Sequence, residues 1–215
     1  MQNMSGRTAR KTLVMTASSA MLATAATVGV VGGTTVSADA ATVSKGYAYK
    51  CKATAGGTEL GTQKVKVRVK TKLPAKIKAG NKLARRPISV SLRLPESLRK
   101  AATEVLMATH ASGRSGDAAL GVKIGKRMSK ADINRLKAKK APIPAEEGAA
   151  WKVKAKGQLE AIKVPNKAKG KVRLSVPKRF HVAAKLYRKD GSTVKSQLTC
   201  KGPKKRGYDS IRIVR

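Results

Sequence analysis

The segment 64–73 restricts the fold of this chain more than any other part of the sequence. Its odd positions hold Val65, Val67, Val69, Thr71 and Leu73, and its even positions hold Lys64, Lys66, Arg68, Lys70 and Lys72. Successive side chains of a strand point to opposite faces, so this period of two is typical of a strand with one buried and one solvated face. We therefore predict a sheet that covers a core on one side and carries cations on the other.

Other segments with the same period extend this interpretation to most of the chain. Strands are predicted at 47–54, 88–94, 118–124, 150–155, 157–164, 170–176, 180–187, 194–200 and 210–214. Apolar residues at helical spacing predict a short amphipathic helix over 96–110, and a capping-box pattern from Ser129 to Asp132 predicts a helical turn or two through residue 140. Short connections favour antiparallel pairing. The predicted fold class is mainly β, an immunoglobulin-like antiparallel β-sandwich with one or two short helical insertions.

The first forty residues have the organisation of a secretory signal peptide. Arg7, Arg10 and Lys11 precede an uncharged, largely apolar segment at 12–33, and the small residues Ala38 and Ala40 occupy the positions that a signal peptidase reads. Retention as an N-terminal membrane anchor is the alternative, since about 20 apolar residues span a bilayer. We expect residues 1–40 to be removed, residues 41–215 to form one domain, and no membrane span to remain after cleavage.

Cys51 and Cys200 are the two cysteines of the chain. Thiols of exported proteins oxidise, so we expect a structural disulfide between them. A thiol nucleophile or a metal-ligand pair is the alternative. Neither is favoured, because no histidine is near either cysteine in sequence and no further cysteine could complete a tetrahedral metal site.

Several short motifs occur in an order that resembles a known family. They are Tyr49-x-Cys51 on the first strand, Leu73-Pro74, Ala79-Gly80, Leu94-Pro95-x-Ser97-Leu98, Trp151 to Gly157, Gly170 to Val176, Asp190-Gly191 and Leu198-Thr199-Cys200. This order resembles a family of secreted actinobacterial β-sandwich domains of unknown function. The resemblance implies secretion, an immunoglobulin-like sandwich and a disulfide, and it implies no activity and no catalytic residues. The large number of lysines departs from that family's pattern, so no ligand is carried over.

Residues with catalytic potential are scattered along the chain. Glu146 and Glu147 form the only acidic doublet, in a proline- and glycine-containing context that is typical of a solvated loop. His110 and His181 have no Gly-x-Ser-x-Gly elbow to accompany them, and the Gly-rich segment 113–116 lacks the Lys-Ser/Thr ending of a phosphate-binding loop. We therefore expect no enzymatic activity, no cofactor and no metal site.

The positive charge is the strongest indication of function. The chain has 48 Lys and Arg against 11 Asp and Glu, a net charge of +37, and residues 41–215 keep +35 because the first forty contain three cations and one acid. Cations that alternate along a strand lie about 7 Å apart, within a Debye length of about 8–10 Å at physiological salt, so they repel one another. Further cations recur at 137–140, 152–156, 167–171 and 204–206. Lys64, Lys66, Arg68, Lys70 and Lys72 are the predicted polyanion-binding residues.

The type of cation indicates binding without sequence readout. Lysine acts as a point charge whereas arginine makes bidentate contacts, and lysine predominates here. Aromatic residues make up only 3% of the chain, too few for a platform on which bases stack. We expect a secreted, wall-associated, non-catalytic protein that adheres to anionic wall polymers or extracellular DNA and has no small-molecule substrate. A cationic effector that acts on anionic membranes or competitor cells is the alternative, and cytosolic nucleic-acid packaging would require the export signal to be spurious.

Overall fold

The computed structural model describes residues 40–215, so the predicted signal peptide lies outside the described residues except for Ala40. Within that range the chain forms fourteen strands and one short helical segment. The strands are β1 (Ala40–Ala55), β2 (Thr58–Pro74), β3 (Lys76–Lys78), β4 (Lys82–Leu83), β5 (Arg86–Leu94), β6 (Ala108–Ser115), β7 (Ala119–Ile124), β8 (Arg127–Pro142), β9 (Trp151–Leu159), β10 (Ile162–Lys163), β11 (Lys171–Ser175), β12 (Arg179–Arg188), β13 (Thr193–Lys201) and β14 (Gly207–Val214). At 68% strand and 6% helix, the structure confirms the mainly β, antiparallel class and is consistent with a sandwich.

Eight of the strands form a closed ring. The order is β9-β5-β2-β1-β13-β12-β6-β8, and β8 pairs with β9 to complete it. Every pairing in the ring is antiparallel. A second sheet leaves the ring at β8 and continues through β7, β11 and β14 to β3, where the last pairing is parallel. Strands β4 and β10 form a separate two-residue pair.

The inner face of the ring holds the core that the alternating sequence predicts. Val65, Val67 and Val69 of β2 are buried, while the residues between them are exposed. Cys51 of β1 and Cys200 of β13 are register partners, completely buried, with Cα atoms 4.0 Å apart, and their sulfurs are bonded. The predicted disulfide is therefore confirmed. It joins two neighbouring strands of the ring that are 149 residues apart in sequence.

Three tyrosines fasten the long β1–β2 hairpin to the end of the chain and to the β11–β12 connection. The hydroxyl of Tyr47 donates to the carbonyl oxygen of Gly207, that of Tyr49 to Pro177, and that of Tyr208 to Val43. Burial raises the pKa of Tyr49 and raises that of Tyr208 to about 12, so both hydroxyls stay protonated as donors at neutral pH. These bonds satisfy polar groups that would otherwise be costly to bury.

The helical turn predicted over 129–140 is wrong, because these residues belong to strand β8. Ala131 and Ile133 alternate into the core as in any strand, but Leu136 follows Ile133 at a spacing of three. The pairing with β9 shifts between Asn134 and Lys137, and Arg135 has a positive φ of 54°. This β-bulge adds one residue to the strand, and the resulting spacing imitates that of a helix.

Gly157 on β9 allows the ring to close at this bulge. A Cβ atom at this position would lie 2.9 Å from the carbonyl oxygen of Asn134 and 3.1 Å from the Cα atom of Leu136. Contacts this short force the backbone apart, so only glycine lets β9 approach the bulged part of β8. The closing pair of strands therefore depends on one residue without a side chain.

The helix predicted over 96–110 is present but shorter. An α-helix, α1, spans Glu96–Lys100, a π-helical turn follows at Ala101–Val105, and β6 already begins at Ala108. We call residues 96–107, together with the loop 144–147, the helical cap. Arg99 joins its two parts: the guanidinium is buried, binds Glu96, and donates to the carbonyl oxygens of Pro144 and Ala145.

Candidate polyanion-binding face

The five predicted polyanion-binding cations share the outer face of β2. Lys64, Lys66, Arg68, Lys70 and Lys72 are all exposed, and they alternate with the buried core-face residues Val65, Val67, Val69, Thr71 and Leu73. Their spacing along the strand is about 7 Å, the rise of two residues in a strand. The structure thus places them on one surface, as the alternation of the sequence predicts.

Strands β5 and β9 extend this surface with further cations in register. Lys66 on β2 is the partner of Arg93 on β5, and Arg93 is in turn the partner of Lys152 on β9. All three side chains are exposed. Side chains directly opposite each other on neighbouring strands have Cβ atoms about 5 Å apart, so this row brings three like charges closer than the sequence indicates.

A second row crosses more of the ring. Lys70 on β2 faces Ser89 on β5, Ser89 faces Lys156 on β9, and Lys156 faces Lys137 on β8. Lys137 also pairs with Arg114 on β6. The row therefore runs over five strands and ends in three consecutive cations.

We call the cations of four neighbouring strands the cationic face. It comprises Lys64, Lys66, Arg68, Lys70 and Lys72 of β2, Arg93 of β5, Lys152, Lys154 and Lys156 of β9, and Lys137 of β8. The ion pairs among residues 40–215 are Lys52–Glu59, Arg99–Glu96, Lys100–Glu147 and His181–Asp117, and none includes a member of this face. Like charges directly opposite on a sheet are destabilising, so the face is a surface whose repulsion an anionic ligand would relieve.

A cleft of about 760 Å³ adjoins the cationic face at Lys137. Arg114, Arg135 and His181 line it as well, and Arg135 is the residue that the bulge of β8 places at positive φ. Lys137 belongs to both the cleft and the second row of cations, so the positive surface continues from the face into the cleft. Its chemistry suits an anionic group.

Asp117 orients His181 at the rim of this cleft. Its carboxylate accepts hydrogen bonds from the imidazole Nδ1 and the backbone N–H of His181 and from the hydroxyl of Ser115. Burial acts to raise the pKa of the Asp117 carboxyl, but these hydrogen bonds outweigh it and hold the pKa below its usual value. Ser115 donates to the carboxylate rather than to the imidazole, so the three residues are not in the order of a nucleophilic triad. Their contacts fix the position of the imidazole.

Residues 40–215 contain neither a metal-binding cluster nor a membrane-spanning helix. No three His, Cys, Asp or Glu residues there come close enough to hold a metal ion. In the same range, no helix has the length and apolar character needed to cross a membrane.

Comparison with models of protein families shows to which family the chain belongs. A family model matches residues 48–211, a range that includes both cysteines and every strand of the cationic face. The model describes DUF6801, a family of unknown function. The chain belongs to this family. No curated protein and no solved structure matches it significantly. The DUF6801 domain therefore contains the disulfide and the cation rows described here, but its family description names no activity.

The sequence indicates the cations of this DUF6801 domain but not their arrangement. Arg93 is absent from the predicted cations, and Lys137 and the lysines at 152, 154 and 156 are predicted only as members of separate cationic runs, not as part of the site on β2. Their contact with β2 depends on the strand order β2-β5-β9-β8 and on its register. The alternation of Lys152, Lys154 and Lys156 with Val153 and Ala155 is the local signal that they share one outer face.

Proposed function

We propose that the protein is an exported, non-catalytic binding protein that holds anionic polymers on the cationic face. One observation carries the proposal: ten exposed cations lie on one face of four neighbouring strands, the strand register sets Lys66 opposite Arg93, Arg93 opposite Lys152 and Lys156 opposite Lys137, and none of the ten has an ion-pair partner among residues 40–215. Such an arrangement is unfavourable for the isolated domain. A polymer with many negative charges converts this repulsion into attraction over the whole face.

The composition of the cationic face supports binding without sequence readout. Eight of its ten members are lysine, which offers a hydrated point charge on a flexible stem. No aromatic residue lies among them on which a base could stack. Wall polymers and extracellular DNA both fit this chemistry, because each presents phosphates or other anions at short, regular intervals.

The disulfide supports the exported location. Cysteine pairs persist in oxidising compartments and are rare in the cytosol. Cys51 and Cys200 are completely buried in the core, so the bond is placed as a structural disulfide and not as an exposed, exchangeable one. An exported cationic protein meets the anionic polymers of the cell envelope before any other partner.

The salt dependence of binding tests the proposal. Affinity of the purified protein for duplex DNA and for purified anionic wall polymer would be measured over a range of NaCl concentrations. The face variant carries Lys66→Gln, Arg93→Gln and Lys152→Gln, the three members of one row. Each lost phosphate contact lowers the slope of log affinity against log salt by about 0.9 on duplex DNA, so we expect the slope to fall by about 3.

A matched control distinguishes the face from the total charge. Lys167, Lys189 and Lys204 are exposed lysines in loops. Their replacement by Gln removes three positive charges, as many as in the face variant. We expect this loop variant to keep most of the slope. Equal losses in the two variants would show that binding depends on net charge alone, and an affinity for wall polymer that does not change with salt would refute the proposal.

A further inference from the structure

The interior of the strand ring contains a cavity that the core side chains do not fill. Its volume is about 110 Å³, and all eight strands of the ring contribute to its lining. Many of the inward positions hold small residues, among them Ala53, Ala111, Ala138, Ala155 and Ala184. A closed ring of eight strands has an interior that side chains can just fill or that can hold one small ligand. Because alanine side chains are small, they favour an interior with room for one small ligand.

The lining is mainly apolar, and its one charged residue, Arg114, is exposed and also lines the cleft beside the cationic face. Its serine hydroxyls are already bonded, Ser112 to the Tyr187 hydroxyl, Ser115 to Asp117 and Ser196 to the carbonyl oxygen of Thr54. Within residues 40–215 the only buried side-chain nitrogen or oxygen atom without a partner is Nε of Arg86, which does not line the cavity. An apolar cavity of this kind stays dry and can take up an apolar guest.

The helical cap covers one part of the cavity. Leu98 of α1, Ala102 of the π-helical turn and Leu106 all belong to the lining. Leu98 and Ala102 of the cap pack in the core, and the other attachments of the cap to the ring are side-chain hydrogen bonds rather than strand pairing: Ser97 donates to Oε1 of Gln63, and Arg188 donates from Nε to the carbonyl oxygen of Leu106 over 2.8 Å. Arg99 joins the two parts of the cap, residues 96–107 and the loop 144–147, to each other. A segment held at a few such points can move without breaking the ring.

The backbone of the helical cap is unusual where it meets β6. The π-helical turn is a rare conformation that is frequent at functional sites, and Met107 has a positive φ of 52° although it is not glycine. Val105 and Met107 are 72% and 70% exposed, although both are large and apolar. An apolar molecule therefore finds exposed apolar side chains beside the segment that covers the cavity.

We propose that the ring interior is a binding site for a compact apolar ligand, a hydrocarbon group about the size of a benzene ring, admitted at the helical cap. A dry cavity of about 150 Å³ in another protein binds benzene or xenon, and the present cavity is of the same order. The site is separate from the cationic face, since the ring strands present the cavity-lining alanines inward and the lysines of the face outward. It does not depend on the proposed polymer binding.

Benzene and xenon are the probes for this site. Methyl NMR spectra of the protein would be recorded during titration with benzene and, separately, under xenon pressure. We expect saturable shifts confined to methyl groups that line the cavity, such as those of Ala155 and Ala184, with millimolar affinity. Shifts that do not saturate, or that occur equally on exposed methyl groups such as that of Met128, would overturn the proposal.

Two adjacent alanines of β12 give a matched pair of variants. Ala184 lines the cavity and Ala183 is exposed on the outer side of the same strand. Ala184→Leu fills the cavity and should lower the affinity for benzene at least tenfold, whereas Ala183→Leu should leave this affinity unchanged. If Ala184→Leu fails to fold, Ala155→Leu fills the cavity from β9 and takes its place in the comparison. Unchanged affinity in a folded filling variant would refute the site.

The same variants separate this site from the polymer site. Ala184→Leu should lose benzene binding and keep the salt slope for duplex DNA, and the Gln variant of the face should do the reverse. Replacing Arg99 by Met, which removes the contacts to Pro144 and Ala145, should accelerate xenon exchange severalfold. An exchange rate that is the same in this variant would show that the helical cap is not the entrance.

Discussion

The cationic face and the helical cap contain the same kinds of cation in opposite circumstances. In the cap, Arg99 and Lys100 each have a carboxylate partner, Glu96 and Glu147, and the guanidinium of Arg99 is buried. On the face, ten exposed cations have no such partner among residues 40–215. The chain has few acids, and four of them, Glu96, Glu104, Glu146 and Glu147, lie in or beside the cap.

This difference distinguishes a cation that stabilises the fold, Arg99, from the cations of the face, which do not. Arg99 needs its partners because an unpaired buried charge is costly, and its hydrogen bonds hold two segments together. The lysines of the face are solvated, so they contribute little to the fold and repel one another across β2, β5, β9 and β8. Glu96 and Glu147 thus pair with cations that hold the cap together, and the positive charge of the face stays uncompensated by acids among residues 40–215.

The disulfide gives the largest expected effect on stability. Lys50 and Lys201 are register partners beside Cys51 and Cys200, so this strand pair also carries opposed cations. Replacing both cysteines by Ala should lower the free energy of unfolding by about 2–5 kcal/mol. The loss should be greater in low salt, because the remaining strand pair must then resist unscreened repulsion. Urea unfolding at low and high NaCl measures both quantities.

The wild-type protein under the same two salt conditions is the control for this prediction. Its stability should also rise with salt, but by less than that of the double variant. If the double variant loses the same free energy of unfolding at low and high salt, repulsion between the opposed lysines does not measurably destabilise the sheet. The covalent bond would then act only on the unfolded chain.

A charge reversal inside the cationic face should change stability and binding in opposite directions. Lys156→Glu places a carboxylate opposite Lys137, so a repulsive pair becomes an attractive one. We expect the domain to gain about 0.2–1 kcal/mol of stability while its affinity for anionic polymer falls. Thermal or urea unfolding and the salt titration described above give the two values on the same sample.

Lys154→Glu is the matched control for this reversal. Lys154 lies on the same strand and face, but its partner on β5 is the uncharged Ser91. This variant should weaken polymer binding to a similar extent with a smaller gain in stability. Equal gains in the two variants would mean that the effect is a general consequence of lower net charge and not of the cross-strand pair.

Much of the fold can be predicted from local patterns. The alternation at 64–73 predicts β2 and its orientation, and the presence of two cysteines, with export expected from the sequence, predicts the disulfide. Strand β8 could not be recognised, because the bulge at Arg135 changes the spacing of its buried residues from two to three. Nothing local indicates that Gly157 faces that bulge, since the contact joins residues on different strands. The closure of the ring is for the same reason not visible in the sequence.

The candidate sites, like the fold, can be predicted only in part from local sequence patterns. The cations of β2 are evident from one strand, whereas the rows through Arg93, Lys152 and Lys137 require the strand order and register. The alanines of the cavity occur on several strands and meet only when the ring closes. Local sequence thus predicts which face a residue occupies, but only the pairing of strands predicts its neighbours.

Acidification gives the smallest expected effect and separates the two regions by titration. Hydrogen bonds from Arg99 and from Lys100 hold the pKa values of Glu96 and Glu147 below their usual value. A lowered folded pKa stabilises the domain above the unfolded value, near 4.5, and this contribution is lost as the pH falls through the folded pKa. Lysine and arginine remain charged in this range, and the ion pairs in which the carboxyl pKa is lowered belong to the cap and to Asp117, not to the cationic face. The urea midpoint of the wild-type protein should therefore fall between pH 5 and pH 3, and Glu147→Gln should make this fall slightly smaller.

Glu146→Gln is the matched control. It removes the neighbouring carboxylate, which is in none of the four ion pairs, so the fall of the urea midpoint should stay unchanged. A larger effect of Glu146→Gln than of Glu147→Gln would contradict the assignment of Glu147 as the partner of Lys100.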